Sequence, residues 1–447
     1  MIRLLAGAFL GIVMMAHAPT PAQAAPESAA ATRASRVERV VSPGGIEAWL
    51  VRQTHLPVIA MSFAMRGGTS QDGAGREGSA NLLAAVMDEG AGDLDAEAFN
   101  RRLQDRAIEM SFSASRDLFS GSVRSLTEHR GEAMALLRLA LSRPRFDAAP
   151  LERMRQAILA SIRRASTNPG SIASDTFWSA AFPGHPYGRR GAGTAESVAA
   201  ITAADLAALH GRMVAREHLK VAVVGDIAAD ELAPLLDEVF GDLPAKADLA
   251  RVPEVAIAHT GQRRVVPLDV PQATISFGLA GLKRDDPDFF PAFVMNHVLG
   301  GGTFSSRLYQ EVREKRGLAY SVSTGLAALD AAGLVTGGTS TRNDRAAESL
   351  AVIEAELKRM GAEGPTPLEL EQAKRYLIGS WALRFETSTQ IASNLIRIQL
   401  DGEGPDYLDR RNGLIDAVSV DDVRRVARRL LGDPRLLVVV VGKPEGM

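Results

Sequence analysis

The chain has 447 residues, 46% of them apolar, and a formal net charge of −2. That length allows two or three domains with sizeable cores, and the composition excludes a disordered chain. The near-neutral charge without a long basic block excludes a nucleic-acid footprint. The absence of cysteine excludes disulfides, a thiol nucleophile and a lipidated N-terminal cysteine.

In chain order, Met1-Ile2-Arg3 is a short basic start. Residues 4–16 form an apolar run broken only by Gly7 and Gly11, and Ala22-Gln23-Ala24 is a small-x-small cleavage site, with Ala16-His17-Ala18 as the alternative. Residues 1–24 therefore read as a secretory signal peptide. The run is short for a bilayer span, so no stable membrane insertion is expected once it is cleaved near Ala24. The expected destination is the periplasm of a Gram-negative bacterium, with full secretion as the alternative. Residues 25–36, rich in Ala, Ser and Thr, read as a flexible lead-in.

Strands are expected at 37–41, 48–52 and 58–65. A helix should start at Ser79, with Leu82, Leu83, Val86 and Met87 on one face, and stop near Gly90. Asp95 should cap a helix running to about Ala107. Further helices are expected at 127–141, 150–164, 171–181 and 202–213, then a buried-type strand at 219–224 closed by Gly225. Residues 73–78 spell G-x-G-x-x-G, but no strand feeds directly into them and no second, acid-ended strand follows. A dinucleotide site is therefore not expected.

The second part of the chain repeats the first. Val221-Ala222-Val223-Val224-Gly225 is matched by Val438-Val439-Val440-Val441-Gly442, 217 residues on. Ile201-Thr202-Ala203-Ala204-Asp205 is matched at the same offset by Val418-Ser419-Val420-Asp421-Asp422, each with a Ser or Thr three residues before an acid. Pro150-Leu151-Glu152 and Pro367-Leu368-Glu369 keep the offset. A constant offset of this kind indicates an internal duplication. The expected fold is α+β: an N-terminal domain at 37–242, a linker at 243–264 where Pro, Lys and Asp break the periodicity, and a C-terminal domain at 265–447. Each domain should be a mainly antiparallel sheet packed by helices.

Residues 300–322 carry the densest local signal. Gly300, Gly301 and Gly302 permit a sharp bend or a close approach to a ligand. Ser305 or Ser306 can cap a short helix whose Leu308 and Val312 share a face, with Glu311 and Lys315 as an i,i+4 pair. Gly317 supplies a stop, and Leu318, Tyr320 and Val322 alternate at strand period. Judged on residue type alone, Arg313 is a solvated arginine and Tyr320 a packing tyrosine.

The two α+β halves, the Gly-x-Ala opening of the helix at Ser79, His185-Pro186-Tyr187-Gly188 and the unit from Gly300 to Tyr320 together resemble the pitrilysin/insulinase family of zinc peptidases. Residues 37–445 fall within the resemblance. Active members carry His-x-x-Glu-His on the first helix, where two imidazoles hold Zn²⁺ and the glutamate activates water, and a further acid lies downstream. Here Asn81 stands for the first histidine, Ala84 for the glutamate, Ala85 for the second histidine, and Ala160-Ser161 for the downstream acids. The resemblance therefore implies no metal in this chain. The eight histidines offer no replacement by spacing: the nearest pair, His210 and His218, is eight apart. His185 and His297 are expected to be packed or capping.

The family's other catalytic piece, an Arg and a Tyr seven apart in the second half, is matched by Arg313 and Tyr320. The resemblance assigns them to substrate binding and oxyanion stabilisation. It reads the triglycine as a short form of the substrate-binding Gly-rich loop of the non-catalytic processing-peptidase subunit, a plain tight turn being the alternative. It thus implies a zinc-less subunit that meets a homologous His-x-x-Glu-His partner holding Zn²⁺, with peptide as substrate. An inert structural or peptide-binding subunit is the competing reading; an independently active hydrolase is disfavoured because the usual zinc ligands are missing together.

Overall fold

The computed structural model describes residues 37–447. The signal peptide and lead-in expected at 1–36 lie outside the described residues. Among the described residues no helix is long and apolar enough to cross a membrane.

The first half builds β1 (Glu38–Val41), β2 (Glu47–Arg52) and β3 (Val58–Arg66), then helices α1 (Ser79–Val86) and α2 (Ala96–Asp105). A hairpin of β4 (Glu109–Ala114) and β5 (Leu118–Leu126) precedes α3 (Arg130–Ser142), α4 (Ala148–Ala165), α5 (Pro169–Ala181), α6 (Ala195–Ala200) and α7 (Ala203–Met213). Strand β6 (Lys220–Gly225) and α8 (Ala229–Phe240) close it. The second half follows the same plan: β7 (Arg263–Pro267), β8 (Gln272–Ala280), α9 (Phe289–Asn296), β9 (Ala319–Ala328), β10 (Gly333–Arg342), α10 (Ala346–Glu363), α11 (Pro367–Gly379), α12 (Ser388–Leu400), α13 (Tyr407–Asp416), α14 (Val420–Leu431) and β11 (Leu437–Gly442).

The duplication is visible in the sheets. The first runs β1-β2-β6-β3-β5-β4 and the second β7-β11-β8-β10-β9. Without β1 the two orders are the same, and each contains one parallel pair, β2 with β6 and β7 with β11. The matched acids also do the expected work. Thr202 and Asp205 form a capping box on α7, and Ser419 and Asp422 form one on α14.

Each sheet buries one face on its own helices. Met61, Phe63 and Met65 point from β3 into a core with Leu82, Leu83 and Phe240. The other face is covered by a helix from the opposite half. Ile391, Leu395 and Ile398 of α12 close over Trp49, Ala64, Ala222 and Val224. Reciprocally, Ala173, Phe177 and Ala180 of α5 close over Leu334, Leu437, Val439 and Val441. This clasp explains the unbroken apolar runs in β6 and β11: both faces of those strands are dry, so neither can alternate.

The halves are also latched by hydrogen bonds. The Tyr187 hydroxyl donates to Asp117 (2.6 Å) and accepts from the Ala331 N–H (3.0 Å). Asp330 pairs with Arg66 across the same seam. His185 accepts from the Tyr187 N–H and bonds the Pro253 carbonyl at 3.0 Å, so the His-Pro-Tyr-Gly segment also fixes the connection between halves. Residues 243–264 are pinned along their length: Ala250 exchanges two hydrogen bonds with the Gln71 side chain, and the Val255 N–H donates to Ala331.

Candidate functional site

In the first half, the residues at the zinc-ligand positions lie along α1, Asn81 in its first turn and Ala84 and Ala85 in its last, and on α4, which packs against it. Asp72, six residues upstream of Gly78, holds the helix start. Its carboxylate accepts from the Gly78 and Ala80 N–H groups, both at 2.8 Å. Burial pushes this carboxyl up to about 7, against the pull of those two donors. Gly78 has φ +98, and a Cβ there would meet the Ala192 carbonyl at 2.9 Å, so the glycine of the decoy motif serves a tight helix entry. Asn81 donates to the Gly191 carbonyl at 2.6 Å, Ala84 is buried, Ala85 and Ala160 are half-buried, and Ser161 is exposed. A pocket of about 500 Å³ opens beside Ser161, Asn168, Ser171 and Arg190. Its one carboxylate, Asp175, is paired with Arg190 at 2.8 Å. Among the described residues no three His, Cys, Asp or Glu side chains come together as metal ligands. An alanine, a second alanine and an amide already committed to a carbonyl do not fit Zn²⁺.

In the second half, α9 runs on into a wide π-type turn at His297–Gly301, then a short 3₁₀ turn at Thr303–Ser305. None of Gly300, Gly301 and Gly302 has a positive φ; Thr303 does, at +46. The glycines are needed for close packing instead. A Cβ on Gly300 would lie 2.4 Å from Thr324 Oγ1, one on Gly301 2.7 Å from Asn296 Nδ2, and one on Gly302 2.7 Å from the His297 carbonyl. Gly300 is buried, so the triglycine does not present three open backbone positions, and Gly301 is the exposed one. The Ser306 backbone and hydroxyl both cap the next helix, while Ser305 turns back to Gly302. Leu308 and Val312 are fully buried, and Glu311 meets Lys315 at 2.6 Å as the spacing predicts. Glu311 also binds Arg316 and is itself buried, so this ion pair is not on an open face.

The helix widens to π geometry over Tyr309–Glu314. Such widenings are rare and frequent at functional sites. Arg313 lies on this widened turn. Its guanidinium is 4.8 Å from the Tyr309 ring centre and 4.7 Å from that of Tyr320, so the two predicted residues are brought together as a stack. Among the described residues its one acid within 4 Å is Glu314, at 3.8 Å.

Strict alternation would put Tyr320 inward with Leu318 and Val322. The structure overturns this: Tyr320 is 82% exposed while its neighbours Leu318, Ala319 and Val322 are buried. The cause is a register shift. Strand β9 pairs Val322 with Thr339 but Ala319 with Thr341, leaving one extra residue on β9. A bulge on an edge strand re-aims a side chain. The hydroxyls of Thr339 and Thr341 secure it by donating to the Ser321 and Leu318 carbonyls, at 2.7 and 2.6 Å.

Residues 200–377 match the family model described as the peptidase M16 inactive domain. The chain is 29% identical over 333 residues to the non-peptidase homologue YmxG of Helicobacter pylori, covering 74% of this chain and 77% of that one. It is 28% identical over 412 residues to an uncharacterised zinc protease of Mycobacterium leprae, covering 90% and 91%. The crystal structure of a peptidase M16 inactive domain from Pseudomonas fluorescens superposes with a TM-score of 0.85 at 28% identity, over 91% of this chain and 98% of that one. The chain is thus similar to M16 peptidases over most of its length.

The matched model is that of the inactive domain, and no His, Glu or Asp stands at the positions the resemblance assigns to zinc. Two participants in the Arg313–Tyr320 stack escape sequence reasoning. Tyr309, four residues before Arg313, forms the inner plate of the stack, and its buried hydroxyl has no hydrogen-bond partner among the described residues. Phe304, 68% exposed, packs edge-on against Tyr309 at 5.1 Å. The i,i+4 spacing of Tyr309 and Arg313 was the available signal.

The helix carrying Arg313 is anchored through Arg307. Its buried guanidinium forks onto Glu369 at 2.6 and 2.7 Å and donates to the Gly364 carbonyl at 2.9 Å. Burial alone would raise the Glu369 carboxyl, but Arg307 and the Thr366 donors outweigh it and hold it down at about 2. Removing one partner of such a buried pair strands the other. Arg307→Ala is expected to cost about 3 kcal/mol in urea unfolding at neutral pH. Because the folded carboxyl titrates below the unfolded one, the pair's contribution is complete above about pH 4.5 and fades as the pH falls towards 2. The gap between wild type and variant should narrow over that interval; a gap that stays constant with pH would refute the assignment.

Proposed function

We propose that the chain is the zinc-less subunit of a heterodimeric, exported metallopeptidase. A second M16 subunit bearing His-x-x-Glu-His holds the Zn²⁺, and this chain contributes Arg313 and Tyr320 to the shared site. The observation that carries the reading is a contrast between the halves. Every zinc donor is replaced in the first, while in the second a π-turn and a β-bulge hold Arg313 against a solvent-facing Tyr320. An arginine fork and a phenol are both donors at neutral pH, suited to a peptide carbonyl oxygen as negative charge develops on it. The stack fixes the guanidinium before substrate arrives, reducing the ordering cost of binding. Export is read from residues 1–24, with the periplasm as destination.

Co-expression with an exported M16 chain carrying the zinc motif tests the pairing. Native mass should give a 1:1 complex, and metal analysis should give zinc only with the partner present. Zinc stoichiometric with the isolated chain, or peptidase activity from it, would overturn the proposal. The alternative, an inert peptide-binding or structural subunit, predicts the same complex with turnover indifferent to Arg313 and Tyr320.

A further inference from the structure

A cavity of about 990 Å³ lies between the halves, and neither Arg313, Tyr320 nor any former zinc position lines it. Its floor is the outer face of β3, β5 and β4, just beyond the part covered by α12. Register places Ser62, Ser122 and Ser111 in one row across the three strands, with Ser120 beside Ser113 in the next. The opposite face of the same hairpin is ordinary core, with Phe119 and Val123 fully buried. The hydroxyl floor is thus confined to the cavity side. Among these serines the structure shows one side-chain contact, Ser111 with Ser122 at 3.0 Å.

The facing wall is basic. Seven basic and four acidic side chains line the cavity. The acids already have partners or a close cation: Asp117 takes the Tyr187 hydroxyl, Asp330 pairs with Arg66, Asp401 pairs with Arg284 at 2.9 Å, and Asp285 sits in the field of Lys283. Arg116 stacks on Trp178 at 3.6 Å. Three guanidiniums remain, Arg384, Arg397 and Arg411, and no carboxylate of the described residues lies within 4 Å of any of them. Arg411 and Arg384 share one indole, at 4.3 and 5.8 Å from the Trp381 ring. Arg411 is buried, and burial, reinforced by the like charge of Arg384, pushes its guanidinium down to about 10. Like charges gathered in a partly dry cleft are costly unless a counter-charge enters.

We propose that this cavity binds a small ligand carrying two or more oxyanion groups, carboxylate or phosphate, held by Arg384, Arg397 and Arg411 with the serine rows hydrogen-bonding its remaining oxygens. Guanidinium forks match both oxyanions in geometry, and hydroxyls donate to either. The site lies away from the Arg/Tyr stack and does not depend on the partner subunit.

Calorimetric titration of the full chain at low ionic strength tests this, with citrate and pyrophosphate as probes and spermidine as the cationic control. At least one anion should bind at micromolar concentration, weaken with added salt, and lose about tenfold or more in affinity in the double variant Arg384→Gln, Arg397→Gln. Both side chains are exposed to the cavity, so the variant should melt as wild type does. Preference for citrate or pyrophosphate identifies the oxyanion. Binding of neither, equal binding by the double variant, or stronger binding of spermidine would overturn the proposal.

Discussion

In a complex with a zinc-bearing partner, the double variant Arg313→Ala, Tyr320→Phe is expected to lose about 10²–10³-fold in kcat for peptide hydrolysis. Assembly and folding should be nearly untouched. Tyr320 is 82% exposed, and the stack it makes with Arg313 is worth only about 0.5–1 kcal/mol. The size of the effect comes from where the donors act, since a fixed donor is worth more against charge that develops in the transition state than in the free protein. The single variants separate the roles. Tyr320→Phe keeps the ring under the guanidinium and deletes only the hydroxyl, so a loss confined to kcat would place the phenol on the developing oxyanion. Arg313→Lys keeps the charge but not the fork, and should rescue little. Unchanged turnover in an intact complex would favour the inert-subunit reading.

The second large effect is on stability. Phe177→Ala is expected to destabilise the chain by about 3–5 kcal/mol. The ring is nearly fully buried and fills the space above Gly278, where an added Cβ would stand 2.6 Å from its edge. It comes from the first half and packs on the sheet of the second. The loss should therefore appear in the second half: amides of β8 and β11 should lose exchange protection as much as those of α5 itself. Protection lost in the first half alone would mean that the clasp does not couple the two. Leu395→Ala, the counterpart on α12, should weaken β3 and β6 in the same way.

Much of this architecture is legible in the residues. The offset of 217 announces the two halves, and Thr202 and Ser419 show why, each capping the helix before a buried terminal strand. What period-2 reading misses is the β4–β5 hairpin. Met110, Phe112 and Ala114 do alternate, but the residues between them are serines, and the low contrast hides the strand. That same serine face later proves to line the cavity.

The clasp is illegible for another reason. The small and aromatic face of α5 shows that the helix is buried, but not on which sheet, because that depends on the other half of the molecule. The outward turn of Tyr320 is hidden likewise. A bulge is a mismatch between two strands, and residues 318–322 read alone show only their own alternation. The missing zinc donors, by contrast, are a matter of residue type and can be read without any structure.

The clasp also bears on how the chain is made. Synthesis delivers β2, β3 and β6 early, yet the helix that covers their outer face ends only at Leu400. Until then Trp49, Val51, Ala222 and Val224 form a bare apolar sheet face on a nascent chain. The first half cannot finish folding ahead of the second, as the early domain of a multidomain protein ordinarily does. Through that interval the growing polypeptide offers a surface open to wrong partners, including the like face of another unfinished copy.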